Sequence, residues 1–314
     1  MKAIVCTKYG PPEVLQLKDV AMPTPKNSEV LIKVYATAVT ASDSLMRRSD
    51  LPFLFSLMRR LGAGLTKPRK PIPGFVVAGE IEAVGKDVTL FNKGDQVYGS
   101  VGIRQGAFAE YVCMNEVGSL TGCLALKPST MSYEEAAAVP YGAMIASHFL
   151  KKGNLRSGQK VLIYGASGAI GTAAVQLAKY AGAEVTGICS TTNLELVKSL
   201  GADNVIDYTA QDAIRSGDTY DLIFDAVGKR KTSKLKVQCR SALNPSGKYV
   251  SVDGGAPRPR VEYLERLKQI IEEGKFKAVI DRSYPLDQMV EAHRYVDRGH
   301  KKGNVVITVS HSNG

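Results

Sequence analysis

One stretch constrains the fold more than any other: Lys160-Val-Leu-Ile-Tyr-Gly-Ala-Ser-Gly-Ala-Ile-Gly171, continued by Thr-Ala-Ala-Val-Gln-Leu-Ala-Lys-Tyr-Ala-Gly-Ala. An apolar run ends at Tyr164, a Gly-rich turn follows, and a helix begins with Ala169, Ala173 and Leu177 on one face. The start of a helix offers free N–H groups and a favourable dipole to a pyrophosphate. Gly168 lets the backbone approach the phosphate, and Gly171 lets the helix pack closely on the strand. The pattern is A-x-G-x-x-G, with Ala166 where the commonest fingerprint has its first glycine. Ala166, Ser167, Gly168, Ala169, Ile170 and Gly171 are therefore the candidate pyrophosphate contacts. A tight strand-to-helix connection without a ligand has the same signature, so the flanking sequence has to decide.

The flanks agree with the ligand-binding reading. Short apolar runs at Lys160–Tyr164, Glu184–Cys189, Asn204–Asp207, Asp221–Asp225 and Lys248–Val252 alternate with helical stretches near 169–181, 193–200, 210–215 and 231–243. Buried strands alternating with helices specify a parallel sheet covered on both faces. The texture before this region differs. Ala3–Cys6, Val30–Ala38, Phe75–Val84, Gln96–Tyr98 and Phe108–Val112 read as strands punctuated by Gly-Pro-Pro at 10–12 and Lys-Gly-Asp at 93–95. From Ser132 a helix starts, with Ser132 as N-cap and Glu135 closing a capping box. Helices around 261–273 and 286–297 and a strand Asn304–Val309 end the chain. The simplest organisation is an α/β protein with a discontinuous, mostly-β domain (1–125 and 277–314) around a doubly wound Rossmann domain (126–276).

A carboxylate at the end of the second Rossmann strand would accept from the ribose hydroxyls of NAD. Here the chain reads Gly187-Ile-Cys-Ser-Thr-Thr-Asn193. Nothing in that turn repels a 2′-phosphate, and Ser190, Thr191, Thr192 and Asn193 can hydrogen-bond to one, so NADPH is expected in preference to NADH. The turn has no Arg or Lys of its own; Lys198 or Lys179 would have to reach round to it.

Composition narrows the remaining classes. The net charge of +11, from 41 Lys and Arg against 30 Asp and Glu, favours anionic partners. No aromatic residues interleave the basic clusters as a single-strand nucleic-acid groove requires, so nucleic acid is not the expected partner. The chain has no apolar run long enough for a transmembrane helix. The N-terminal MKAIVCTKYG has neither an apolar h-region nor a cleavage site. Five scattered cysteines (Cys6, Cys113, Cys123, Cys189, Cys239) without a C-x-x-C point to reduced thiols and a cytoplasmic location.

Together the turn, the split domain and the N-terminal pattern resemble the medium-chain dehydrogenase/reductase superfamily, and within it the zinc-free quinone oxidoreductase branch. The carriers are Pro73-Gly-Phe-Val-Val-Ala-Gly-Glu-Ile-Glu-Ala-Val-Gly85, Phe91-Asn-Lys-Gly-Asp-Gln-Val97, Gly106-Ala-Phe-Ala-Glu-Tyr-Val112, Ala136-Ala-Ala-Val-Pro140 and Leu200-Gly-Ala-Asp-Asn-Val-Ile-Asp-Tyr208. The resemblance implies a GroES-like catalytic domain beside the Rossmann domain. Zinc-dependent relatives carry Gly-His-Glu where this chain reads Gly74-Phe75-Val76, and a Cys where it reads Thr40 or Ser42. The four histidines (His148, His293, His300, His311) are late and scattered, in surface or helix-lining positions. Neither zinc nor flavin is expected. The further cofactor contacts expected are Ser190, Thr192, Asn193, Lys198, Tyr208, Val227, Val252 and Asp253.

Without a Lewis acid, the branch takes substrates that are already electrophilic, quinones or α,β-unsaturated carbonyls, and the protein supplies orientation and a hydrogen bond to the developing oxyanion. The donors expected by resemblance are Thr40 or Ser42 in Val39-Thr-Ala-Ser-Asp43, although the same residues can simply cap a turn. Tyr141 either reaches that cleft or packs on the helix before it. Ile145 stands where the branch often has a Thr facing the nicotinamide. The insertion Leu51-Pro-Phe-Leu-Phe-Ser-Leu-Met-Arg-Arg60 reads as a lid, a peripheral membrane contact or a packed loop. The short stretch after Gly254-Gly255 omits a sheet-edge strand used for pairing in relatives, which leaves monomer and homodimer both open. A rival reading is an NADPH-binding regulatory or RNA-binding protein with little turnover.

Overall fold

The computed structural model describes residues 1–50, 60–118, 122–210, 217–228, 234–255 and 257–311. The chain divides into two compact units, Met1–Pro140 with Arg258–Gln269 and Ile280–Gly314, and Tyr141–Pro257 with Ile270–Val279. The sequence pattern places the joins at 125/126 and 276/277. In the fold, the segment carrying the Ser132 helix and most of a later helix count with the first unit.

In chain order the first unit contains β1 (Lys2–Cys6), β2 (Leu15–Asp19), β3 (Glu29–Val39), α1 (Ala41–Arg47), β4 (Val76–Val84), β5 (Gln96–Ser100), β6 (Tyr111–Asn115), β7 (Cys123–Leu126) and α2 (Tyr133–Ala138). The second contains α3 (Pro140–Lys152, entered at its first residue), β8 (Lys160–Tyr164), α4 (Ala169–Tyr180), β9 (Glu184–Cys189), α5 (Leu194–Ser199), β10 (Asn204–Asp207), β11 (Tyr220–Asp225), α6 (Lys234–Ser241) and β12 (Leu243–Ser251). The helix α7 (Val261–Glu272) passes from the first unit into the second. The first unit then closes with β13 (Ile280–Pro285), α8 (Met289–Asp297) and β14 (Asn304–Thr308).

In the first unit, β3 organises a seven-stranded sheet of order β13-β14-β3-β4-β5-β7, with β6 paired to β3 as well. Its first half, Glu29–Lys33, takes β6, and its second half, Ala36–Val39, takes β14. The long run of β-branched residues from Val30 to Val39 buries Val30, Ile32, Val34 and Val39 in one apolar cluster with Val77, Ile81, Phe108, Val305 and Ile307. The Ser132 helix forms as its signals predict. Ser132 Oγ accepts from Glu135 N at 3.2 Å, while Glu135 Oε2 accepts from Ser132 N at 2.9 Å. Its alanines 136–138 are fully buried against β3, β4 and β14.

The second unit is a five-stranded, wholly parallel sheet of order β10-β9-β8-β11-β12. Strand order reverses between β8 and β11, so the loops leaving their carboxyl ends diverge and open a crevice there. Five strands is one fewer than the common doubly wound sheet, and β12 is an edge that carries Pro245 and Gly247, both poor at recruiting a further strand.

Several expectations shift. The strand expected over 108–112 forms as Tyr111–Asn115, because Phe108 and Ala109 pair back to the first strand instead: Ile4 N donates to Phe108 O at 2.8 Å and Ala3 bridges Ala109. The strand expected over 248–252 begins at Leu243 and ends at Ser251, with an irregular register. The helix expected near 231–243 is described over 234–241, whereas that near 210–215 and most of the insertion 51–60 lie outside the described residues.

Candidate active site

The phosphate turn is built by β8 and α4. Gly165 takes a φ of 84°, and its N–H and that of Ala166 both donate to Ile188 O on β9, at 3.1 and 2.9 Å. The left-handed residue is therefore Gly165, one position before the fingerprint, which is why Ala166 is tolerated. The methyl of Ala166 is buried and uses the space left by Gly187, where an added Cβ would lie 3.1 Å from it. At Gly171 an added Cβ would lie 2.1 Å from Gly165 O and 2.7 Å from Ala166 Cα, so only glycine lets α4 start this close to the turn. Gly168, the N-cap of α4, is the opposite case: the nearest atom to an added Cβ is Gly165 O at 3.7 Å. The protein leaves that face clear at the N-terminus of a twelve-residue helix, where an anionic group is best held. The residues present thus fit a dinucleotide pyrophosphate.

Around this turn the second unit gathers several of the predicted contacts. Val227, just beyond β11, lies over Gly165; a Cβ there would meet Val227 Cγ2 at 2.4 Å. Val252 and Asp253, just beyond β12, lie against Gly228. Tyr208 follows β10, its N–H donating to Cys189 O at 3.0 Å beside the Ser190 turn, with its side chain exposed. Ser190 opens the second loop, and Asn193 turns inward: its Nδ2 lies 2.9 Å from Ser190 Oγ and 3.3 Å from Ser167 Oγ. Thr192 faces Ser190 at 3.4 Å. Lys198 sits in the last turn of α5, at the far end of that helix from the loop, and Lys179 is engaged elsewhere, with both Asp203 oxygens at 2.8 Å. Lys179 is thus committed to Asp203.

Two groups here were not legible in the sequence. The Ser190 loop contains no carboxylate, but β10 brings Asp207 beside it, accepting from Thr191 Oγ1, Thr209 N and Thr209 Oγ1. Those hydrogen bonds hold its carboxyl below the usual range. At the end of β11, Asp225 is buried and accepts from Val227 N at 3.1 Å, Gly228 N at 2.9 Å and Tyr249 OH at 2.8 Å, and it pairs with Lys236 Nζ at 2.5 Å. Burial pushes its pKa up, but the hydrogen bonds, led by Lys236, outweigh it and leave the group below the ordinary value. Asp225 thereby shapes the Ala226–Gly228 turn that presents Val227.

In the first unit, the segment predicted as a loop at 39–43 is the start of α1. Thr40 is its N-cap: Oγ1 accepts from Asp43 N at 3.3 Å and donates to Asp43 Oδ2 at 2.5 Å, while Thr40 N donates to the same oxygen at 2.8 Å. The Thr40 hydroxyl is thus spent in a capping box and is only 4% exposed, whereas Ser42 is partly exposed. Asp43 is 2% exposed, and burial, opposed by its bonds from Thr40, raises its carboxyl to about 7. The other end of α1 is fixed by Arg47, buried, which donates to Gly10 O at 2.6 Å, pairs with Asp297 and lies 3.4 Å from His293 Nδ1. His293 lines α8 inward, and burial together with Arg47 lowers its pKa to about 3. Tyr141 is partly buried in the first turn of α3.

Thr40→Val is expected to cost about 1–2 kcal/mol of stability through loss of the cap, seen as a lower Tm.

All five cysteines are free, and four are buried. Burial pushes the Cys113 and Cys189 thiols up to about 11, and those of Cys123 and Cys239 to about 12. No helix among the described residues is long and apolar enough to cross a membrane.

The switch point of the sheet, with its glycine turn and the loop after β9, defines a dinucleotide-binding fold. Comparison with known proteins agrees. Residues 26–123 match the alcohol dehydrogenase GroES-like domain family, and residues 169–261 and 255–307 match zinc-binding dehydrogenase families. The chain is 35% identical to 2-methylene-furan-3-one reductase of Solanum lycopersicum, over 98% of this chain and 79% of that one. It is 33% identical to the chloroplastic NADPH-dependent alkenal/one oxidoreductase of Arabidopsis thaliana, with the same coverage. The quinone oxidoreductase of Coxiella burnetii superposes with a TM-score of 0.85 at 29% identity, covering 99% of both chains. The chain belongs to the medium-chain dehydrogenase/reductase superfamily, in its quinone oxidoreductase branch. It is an NAD(P)H-dependent oxidoreductase with a GroES-like domain and a Rossmann domain.

Proposed function

We propose that the protein reduces activated carbonyl compounds, enones or quinones, with NADPH and without zinc. The observation that carries this reading is the clear face at Gly168 on the switch-point turn, in a chain that reads Phe75, and Thr40 or Ser42, where the zinc-dependent relatives it resembles carry a His and a Cys. Among the described residues, no cluster of three or more His, Cys, Asp or Glu is arranged to hold a metal ion. The names of the two plant relatives, a methylene-furanone reductase and an alkenal/one oxidoreductase, support the enone class.

A bound reduced nicotinamide supplies a hydride. The chain's own contribution is to hold the pyrophosphate at Gly168–Gly171, the ribose side at Ser190–Asn193 and the crevice wall with Val227. With Thr40 committed to Asp43, the hydrogen bond to substrate oxygen falls to Ser42, with Tyr141 the second candidate. Ser42→Ala should therefore lower kcat. A reducing cytoplasm fits the five free thiols.

The test is consumption of NADPH and of NADH by purified protein, with a simple quinone, a medium-chain enone and a saturated aldehyde, before and after dialysis against a chelator. Turnover of the enone or quinone, faster with NADPH and unchanged by the chelator, is the expected result. Tight NADPH binding with no acceptor-driven oxidation would favour the regulatory reading instead.

A further inference from the structure

Asn193 is the only side chain among the described residues that hydrogen-bonds to both the phosphate turn and the ribose loop: its Nδ2 lies 3.3 Å from Ser167 Oγ and 2.9 Å from Ser190 Oγ. It is 8% exposed, and its own Oδ1 has no hydrogen-bond partner among the described residues. A buried amide oxygen left unsatisfied weakens folding, so packing alone is a poor reason for an asparagine at this position.

The direction of the two bonds matters. An amide nitrogen carries two N–H groups and accepts nothing, whereas a serine hydroxyl has one proton and two lone pairs. Each serine oxygen therefore accepts from Asn193, and with Thr192 Oγ1, 3.4 Å from Ser190 Oγ, able to act as donor to it, each hydroxyl proton is left for another acceptor. A phosphate ester is an acceptor with no proton to offer in its dianionic form, so it needs donors held in that sense. A ribose hydroxyl can donate or accept and makes no such demand. Among the described residues, the two lysines nearest in sequence do not do the same work: Lys179 is held by Asp203, and Lys198 stands in the last turn of α5.

We infer that Asn193 is a positioning residue that sets the hydroxyls of Ser167 and Ser190 as outward donors, and thereby favours a 2′-phosphorylated dinucleotide. This rests on the NADPH reading above. It assigns Asn193 an indirect role, where the sequence alone suggested direct contact with the phosphate.

The test is titration calorimetry of the purified full chain with ADP-ribose and with 2′-phospho-ADP-ribose, which needs no turnover. For Asn193→Ala, the phosphorylated ligand should weaken by about tenfold or more, the worth of a hydrogen bond to a charged group, and ADP-ribose by much less. Asn193→Asp, whose carboxylate must draw both serine protons inward, should weaken the phosphorylated ligand further. In a Ser190→Ala background, the Asn193→Ala substitution should lose most of its effect on the phosphorylated ligand, a coupling that a merely structural role does not produce.

If the wild-type chain binds the two ligands equally, the NADPH reading falls and this inference with it. If the wild-type prefers the phosphorylated ligand and Asn193→Ala keeps the full preference, or weakens both ligands by the same factor, the inference alone is overturned.

Discussion

Replacing Gly171 with alanine is expected to remove most of the cofactor affinity, by about 100-fold or more, and to destabilise the protein by about 1–3 kcal/mol through overpacking. The added methyl would meet Gly165 O at 2.1 Å and Ala166 Cα at 2.7 Å. Both are backbone atoms and neither can rotate away, so either α4 retreats from β8 or the turn opens. Each displaces the first N–H groups of α4 from the position at which they hold a phosphate. Gly168→Ala separates the two consequences. There the nearest protein atom is 3.7 Å away, so the ligand-free protein should unfold at the wild-type temperature and yet bind cofactor more weakly. Thermal unfolding and NADPH titration of the two variants, side by side, give the comparison. Equal Tm losses for both would mean that Gly168 is needed for the fold rather than for the ligand.

The second large effect is a dependence of stability on pH that runs opposite to that of an ordinary salt-bridged aspartate. Asp43 titrates near 7 in the folded chain because it is buried, while the unfolded chain has an ordinary aspartate. Below the unfolded value both states are protonated and the contribution is fully present. As pH rises toward 7 the unfolded state gives up its proton first, and stability falls. Between pH 5 and pH 8 the loss attributable to this group is about 2–3 kcal/mol, at roughly 1.4 kcal/mol per pKa unit. Asp43→Asn keeps an acceptor for Thr40 N and cannot ionise. Urea unfolding at the two pH values should show a smaller drop for the variant than for the wild type. Parallel drops would show that Asp43 does not govern the trend.

The βαβ core of the second unit was legible because its signals are local. The apolar run Lys160–Tyr164, the glycines and the amphipathic stretch after Gly168 specify one another within a few residues, and the Ser132/Glu135 box is complete in four. What the sequence could not show were pairings made across long separations. Asp225 meets Lys236 and Tyr249 across separate elements, Asp207 meets Thr191 across two strands, and Lys179 is claimed by Asp203. Composition treats each of these as one more surface charge. The Thr40–Asp43 capping box was available locally, but resemblance gave those residues a role facing the nicotinamide and the apolar signal for a seven-residue helix is weak. The burial of Asn193 between Ser190 and Ser167 was likewise invisible, because burial of a polar side chain leaves no trace in residue type. Tyr208, Val227, Val252 and Asp253 stand just beyond strand ends, as the strand pattern expects. That rule carries across the fold, because a parallel sheet presents its ligand-facing residues at the carboxyl ends of its strands.

The central claim is conjugate reduction without a metal, and the position of the transferred hydrogen tests it most directly. Incubation of the protein with an enone and NADPH deuterated at the nicotinamide C4, followed by mass and NMR analysis of the product, locates the label. The account predicts a saturated ketone carrying deuterium on the carbon β to the carbonyl, in the same yield after treatment with chelator. An allylic alcohol with deuterium on the former carbonyl carbon, lost on chelation, would contradict it and mark a metal-assisted alcohol dehydrogenase.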